Sequence, residues 1–493
     1  MNGLPASLPR VSEFERFSDD PFDFLAAARR THGNVVVLRE AGPLFSRAAD
    51  CAGVVAVFGS EYQRVVLSDI ESFGMPVSAA TGLALPPHLI NLNRGLHSMR
   101  AAQHAIQKRL MVGMLGGGAE LQEDRIRAVV ADATRHWRGG TTVGLLGKMR
   151  ELTLQLSSQL LLGERNARSV RLAGLLARYF QLRREASSPA NPGNPVSRRR
   201  LIAAGTAVDR ALRTFVQQCR LHRDVRQRDL RQRDGRQRDA FLRERLSRGL
   251  FGRLATLEME PGRLFSEDEV VGHSNVLFVS STEPIAISLT WILLVLSQLP
   301  ALRDELRDES RRVGGEGRSP EGLPAGRLTL LDRVINETLR LLPPNAFMVR
   351  TTTRPTRLAD VQLPERCEVV LCPFVAHRDS ALFERPDEFL PGRWTGTAPS
   401  PFEYFPFGAG GHSCAGRLLA LRTIKTALAF LLMHFDLILD GDQQIDWRVH
   451  IQFMPRDEPA VLVRRTGSRA ASRAGGTLGG PVGKLLGFDA ILP

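Results

Sequence analysis

The chain has 493 residues, 43% hydrophobic and 24% charged, enough apolar content for a sizeable core and far from a fibrous or disordered composition. Its formal net charge is +14, but residues 198–248 alone carry 16 arginines against 6 acidic residues, and the rest of the excess lies in 464–493. The remaining body is near neutral, which argues against an extended nucleic-acid surface. Five scattered cysteines (Cys51, Cys219, Cys367, Cys372, Cys414) do not form a disulfide framework and suit a reducing, cytoplasmic setting. No apolar run reaches the roughly 18 residues of a membrane span, and Met1–Pro21 is polar, without a targeting pattern.

In chain order, a short helix is expected over 22–33, with Phe22, Phe24, Leu25 and Ala28 on its apolar side. Val35–Leu38 and Val54–Phe58 read as a β-hairpin, and Glu61–Leu67 as a helix. Residues 70–97 are irregular, broken by Gly74-Met-Pro and Leu85-Pro-Pro. Helical patterns cover 121–137, 148–163 and 169–183, and 187–195 is loop by composition. Arg226-Gln-Arg-Asp229 then recurs at Arg231 and Arg236. A five-residue period fits neither a helix face nor a strand, so the repeat reads as tandem expansion into a solvated loop or a lengthened helix. A long apolar helix is expected over 266–299, opened by Ser266-Glu-Asp-Glu, a cap with acids in the first turn. Residues 368–373 read as a β segment. After Arg465 the chain turns Gly/Ala/Ser-rich and is expected to be disordered.

Three stretches carry chemistry. Glu337-Thr-Leu-Arg340 sets an acid and a base on one helix face, where they can pair. Pro386-Asp-Glu-Phe389-Leu-Pro391-Gly-Arg393-Trp394 follows. Phe407-Gly-Ala-Gly410-Gly-His412-Ser-Cys414-Ala-Gly416 places one cysteine in a glycine-rich loop before an apolar helix. The glycines permit positive φ and a close backbone approach to a flat ligand. The N–H groups and dipole of the next helix favour an anionic sulfur. A thiolate is an axial ligand for heme iron.

Together these stretches resemble, in order and spacing, the signature of the cytochrome P450 family, over roughly residues 10–465. The resemblance implies a mainly α fold with a minor β portion and a long central helix crossing the heme. It implies heme b with Cys414 as the axial ligand, in a loop shaped by Phe407, Gly410 and Gly416. His412, where the family usually has arginine, together with His104, Lys108 and Arg350, would hold the heme propionates. Glu337, Arg340 and Arg393 would lock the core beside the cysteine loop. Phe347 and Met348 would face the heme. The catalytic unit would span 1–465, with the Arg-rich insert at about 198–248 and a tail at 466–493. The implied protein is a soluble monomer without a membrane span. It would take electrons from a ferredoxin or flavodoxin-type donor docked near Arg417, Arg422 and Lys425.

The central helix departs from the family pattern. Where an acid–threonine pair is usual, the chain reads Ser280-Ser281-Thr282-Glu283-Pro284. This register puts Glu283 on the acid, as proton relay, and Pro284 on the threonine, with Thr282 or Ser281 assisting. A slip of one residue would bring Thr282 near the oxygen site. Proline has neither hydroxyl nor N–H and kinks a helix. The expected reaction is insertion of one atom of dioxygen into a small, largely apolar molecule. The alternative is a peroxygenase, isomerase or dehydratase outside the usual dioxygen cycle. Peroxide-using relatives carry arginine before this proline to hold a carboxylate; Glu283 would repel one.

Overall fold

The computed structural model describes residues 3–46, 48, 50–76, 86–99, 101–117, 119–163, 166–187, 195–230, 249–314, 327–396, 398–466 and 475–487. Helices dominate. They are α1 (Pro21–His32), α2 (Ser60–Ser68), α3 (Pro87–Leu92), α4 (Ala101–Gly116), α5 (Ala119–Thr134), α6 (Leu145–Leu162), α7 (Ala167–Ser187), α8 (Pro195–Leu230) and α9 (Gly249–Ala255). Then come α10 (Glu267–Gln298), α11 (Pro300–Gly314), α12 (Thr329–Leu341), α13 (Pro373–Ala376), α14 (Arg417–His434) and α15 (Gly480–Leu485). The repeat begins on the last turn of α8; 231–248 lies outside the described residues.

α10 organises the larger core. Ser266 and Glu269 close a capping box at its start, and three acids complement its N-terminal dipole. From Ile285 onward its side chains are buried all round through Ser297, as expected of a helix inside a large domain. It is long and apolar enough to cross a membrane, but 78% of its apolar window is buried within this protein. α6 packs along its middle.

A smaller lobe is built on a five-stranded sheet of β1 (Val35–Arg39), β2 (Gly53–Val57), β3 (Phe73–Gly74), β4 (Met348–Thr352) and β5 (Cys367–Leu371). Its order is β1-β2-β5-β4-β3, and β1 and β2 pair antiparallel as the hairpin reading anticipates. The Glu368 carboxylate is buried in this sheet, yet it accepts the backbone N–H groups of Leu44, Phe45 and Ser46 at 2.7–3.1 Å. Three donors offset the desolvation of the charge and pin the 44–46 loop to β5.

The tail corrects an expectation. Residues 475–487 are ordered: Leu478–Gly479 pairs parallel with Gln443–Gln444, and α15 packs beside it. Leu478, Val482 and Leu486 are buried at 0%, 0% and 1% exposure. The Gly/Ala/Ser composition that suggests disorder ends just before these three apolar anchors.

Candidate active site

The cysteine loop crosses from one core to the other. Phe405 and Ala409 belong to the sheet lobe's core, while Leu419 and Ile424 of α14 belong to the helical core. The Cys414 N–H donates to Phe407 O at 2.8 Å, closing the loop on itself. Gly410 has φ +63°, and a Cβ there would lie 1.9 Å from Leu67 O. No other residue fits that contact with α2.

An internal cavity of about 240 Å³ lies between α4, α6, α10 and the cysteine loop. Its wall is mainly aliphatic, from residues such as Leu115, Leu156 and Leu277, with hydroxyls from Thr153, Ser157, Ser280 and Ser281. Cys414 opens onto it, so the sulfur is reachable although protein surrounds it. Burial raises the Cys414 thiol pKa; the Gly416 N–H and the charges of Lys108 and Arg417 oppose that shift without cancelling it. The same three groups favour the thiolate that a metal requires. His104 and His412 also line the cavity, their rings edge to face at 4.3 Å.

Lys108, expected at a propionate, reaches the cysteine loop. Its Nζ donates to Gly411 O at 2.5 Å and Ser413 Oγ at 2.8 Å, because the loop carbonyl lies within reach of α4. Arg350 is 4% exposed and donates to Val349 O, while its Nε has no hydrogen-bond partner. Burial pushes its pKa down to about 10. Among the described residues no carboxylate pairs with this buried guanidinium, a setting that invites an anion.

Glu337, Arg340 and Arg393 come together as a cluster, Glu337 and Arg340 fully buried and Arg393 partly so. Arg340 grips Glu337 through two hydrogen bonds of 2.9 Å, and Arg393 Nε reaches Glu337 Oε1 at 3.0 Å. Burial works to raise the Glu337 carboxyl, but the Arg340 hydrogen bond and charge, the Leu390 N–H and Arg393 hold it below its ordinary value. Arg340 also donates to the carbonyls of His377, Pro386 and Glu388, tying α12 to the segment before the cysteine loop.

On α10 the geometry corrects the relay assignment. Ser280, Ser281 and Ile285 line the cavity; Thr282 and Glu283 do not. A helix turns about 100° per residue, so 281 and 285 share a face and 283 looks away. Glu283 is 2% exposed and bound by Arg150 of α6, whose Nε lies 3.0 and 3.2 Å from its two oxygens. The Thr282 hydroxyl donates to Phe278 O at 2.8 Å. Three further expectations change. Phe347 is buried in an aromatic cluster with Phe22 and Phe45 rather than on the cavity. Lys425 is 7% exposed and pairs with Asp332, Arg422 is half-buried and donates to Gln122 Oε1, and Arg417 is the most exposed of the three docking residues.

Residues 101–461 match the family model described as Cytochrome P450. The chain belongs to the cytochrome P450 family. Cyclooctatin synthase of Streptomyces melanosporofaciens is 36% identical to this P450 over 178 residues, 36% of this chain and 39% of that protein. The mitochondrial 25-hydroxyvitamin D-1 alpha hydroxylase of Mus musculus is 34% identical over 176 residues, 35% of each chain. The matched stretches thus span well under two thirds of these curated relatives. Retinoic acid-bound cyanobacterial CYP120A1 aligns with a TM-score of 0.73 over 94% of this chain and 100% of that one, at 19% identity, which shows the fold.

The family brings an oxidoreductase with heme on a cysteine thiolate. The residues present fit that group: a cysteine on the cavity, two histidines beside it, an unpaired Arg350 Nε and a glycine-shaped loop. Sequence reasoning missed Arg150, Thr153, Ser157 and His273. His273 lines the cavity, with Nε2 2.7 Å from Gln107 Oε1. None of the four sits in a local motif; Thr153, Ser157 and His273 reach the cavity, and Arg150 reaches Glu283, by packing between helices distant in sequence.

Proposed function

We propose that this P450 is a monooxygenase that inserts one atom of dioxygen into a small, largely apolar organic molecule, with Cys414 as the iron ligand. The observation that carries the reading is Cys414 on the wall of an aliphatic cavity that also bears hydroxyls of the central helix. Heme bound there supplies oxygen activation and an oxidant for C–H or C=C bonds. His104, His412 and Arg350 hold its propionates, and Lys108 steadies the cysteine loop. The aliphatic wall excludes water and selects apolar substrates. Hydroxylation is also the reaction in the name of one relative, the 25-hydroxyvitamin D-1 alpha hydroxylase. Electrons come from a separate acidic ferredoxin or flavodoxin-type protein, met by the exposed Arg109 and Arg417 beside the loop. The protein acts as a soluble cytoplasmic monomer.

A second reading follows from one observation: Pro284 and Ile285 give the central helix no hydroxyl at the two positions after Glu283. Peroxide-driven oxygenation or rearrangement of an already oxidised substrate needs less proton handling. The test adds purified protein to extract of cells lacking the gene. One arm carries a ferredoxin system and labelled dioxygen; the other carries peroxide alone. New masses with one labelled oxygen in the first arm support monooxygenation. Products only with peroxide, or without added oxygen, support the second reading. Cys414→Ala should abolish product in either arm and the red-shifted carbonyl spectrum of a heme thiolate.

A further inference from the structure

Resting on the reading that heme sits on Cys414, we propose that Ser281 supplies the hydroxyl this site presents to a small ligand on the iron, and that Ser157 sets its direction. Ser281 belongs to α10 and Ser157 to α6, and both line the cavity that Cys414 opens onto. Ser157 Oγ lies 3.1 Å from Ser281 O and 3.0 Å from Ser281 Oγ. Each hydroxyl has one proton and two acceptor sites. In the arrangement observed, Ser157 donates to the Ser281 carbonyl, and the Ser281 hydroxyl has Ser157 Oγ at 3.0 Å and Phe278 O at 3.2 Å as acceptors, Ser157 being the nearer. Turning the Ser157 O–H from that carbonyl to the Ser281 hydroxyl reverses the pair. Ser157 then donates to Ser281, and the Ser281 proton is released toward the cavity. No heavy atom needs to move: the two directions differ by the paired rotation of the Ser157 and Ser281 hydroxyls.

Two neighbouring features favour this role. Thr282 Oγ1 lies 3.3 Å from Ser157 Oγ and keeps its own proton on Phe278 O at 2.8 Å, so it turns a lone pair to Ser157 and gives the Ser157 O–H a further acceptor as it rotates. Pro284 lacks the N–H that would bond the Ser280 carbonyl one turn back, which loosens α10 beside the pair. The hydroxyl missing at position 284 is thereby supplied three residues earlier on the same helix and aimed from the neighbouring one. Ser281 is the group that touches the ligand; Ser157 is a positioning residue.

Carbon monoxide on the ferrous protein is the probe, and the readout is its C–O stretching band by infrared in H2O and D2O. A hydrogen bond from Ser281 lowers the band and makes it sensitive to D2O. We expect Ser281→Ala to raise the band and abolish the D2O response. Ser157→Ala should shift and broaden it, and Ser157→Thr should restore the wild-type band. If Ser157 only patches the proline kink, Ser157→Ala lowers the melting temperature and leaves band and D2O response unchanged; that overturns the proposal. A normal carbonyl complex that neither serine affects overturns it alone. A wild-type protein that takes up no heme overturns it together with the reading beneath it.

Discussion

A single buried imidazole shows how finely the region before the cysteine loop is set. His377 is fully buried, with Phe405 N–H donating to its Nε2 at 3.0 Å and its Nδ1 3.3 Å from Arg340 O. That pairing requires the neutral ring with its proton on Nδ1. Burial, reinforced by the charges of Arg340 and Arg378, pushes the pKa down to about 3. The sign follows from linkage. The unfolded chain protonates His377 below its ordinary 6.5 while the folded chain does not, so stability is lost as pH falls from 6.5 toward 3. At about 1.4 kcal/mol per pH unit, this one ring removes about 2 kcal/mol between pH 6.5 and 5. His377→Gln should be less stable at pH 7 and show a flatter decline to pH 5 in urea titrations. Equal slopes in the two proteins would contradict the assignment.

At the scale of elements, the α6–α10 contact joins stability to the site. Arg150 and Glu283 close one end of it and the Ser157–Ser281 pair the other, 7 residues apart on α6 and 2 apart on α10. Glu283 is almost wholly buried, so the guanidinium beside it keeps a charge tolerable inside the core. Arg150→Met should therefore destabilise by about 3–5 kcal/mol, the usual consequence of leaving one buried charge without its partner. Arg150→Met with Glu283→Leu should recover most of that, because the unpaired charge goes too. Denaturant midpoints of the two variants decide the matter; a double variant as weak as the single one would show that the pair does more than neutralise itself. Neither contact was legible in the sequence. Partners 133 and 124 residues apart leave no local pattern, and a helix register assigned by motif puts Glu283 on the wrong face. The Glu337–Arg340 pair was legible because three residues on a helix fix its geometry.

At the scale of the whole molecule, the segment 475–487 is fastened to the far end of the central helix. The cysteine loop was readable because a glycine pattern, a thiol and a helix start lie within ten residues, whereas composition alone hid the closing segment. Gly/Ala/Ser content spoke for disorder over 466–493, and the few apolar residues within that stretch spoke too softly to outweigh it. Yet the Leu478 N–H donates to Gln298 Oε1 at 2.9 Å, and Gln298 Nε2 donates to Gly476 O at 3.1 Å. These bonds fasten the segment to the last residue of α10, the helix that walls the cavity. Leu478, Val482 and Leu486 bury their side chains in the main core, at about 1.5–3 kcal/mol each before the entropy of ordering the segment. Ending the chain after Arg465 should then lower the melting temperature and the urea midpoint together. Val482→Asp in the full chain should reproduce a large part of the loss by placing a charge at a fully buried position. Unchanged melting in both would make the segment a passenger. A fall in both, with heme uptake weakened in step, would place the end of the chain within the catalytic unit, because α10 would have lost the clamp that sets its C-terminal end.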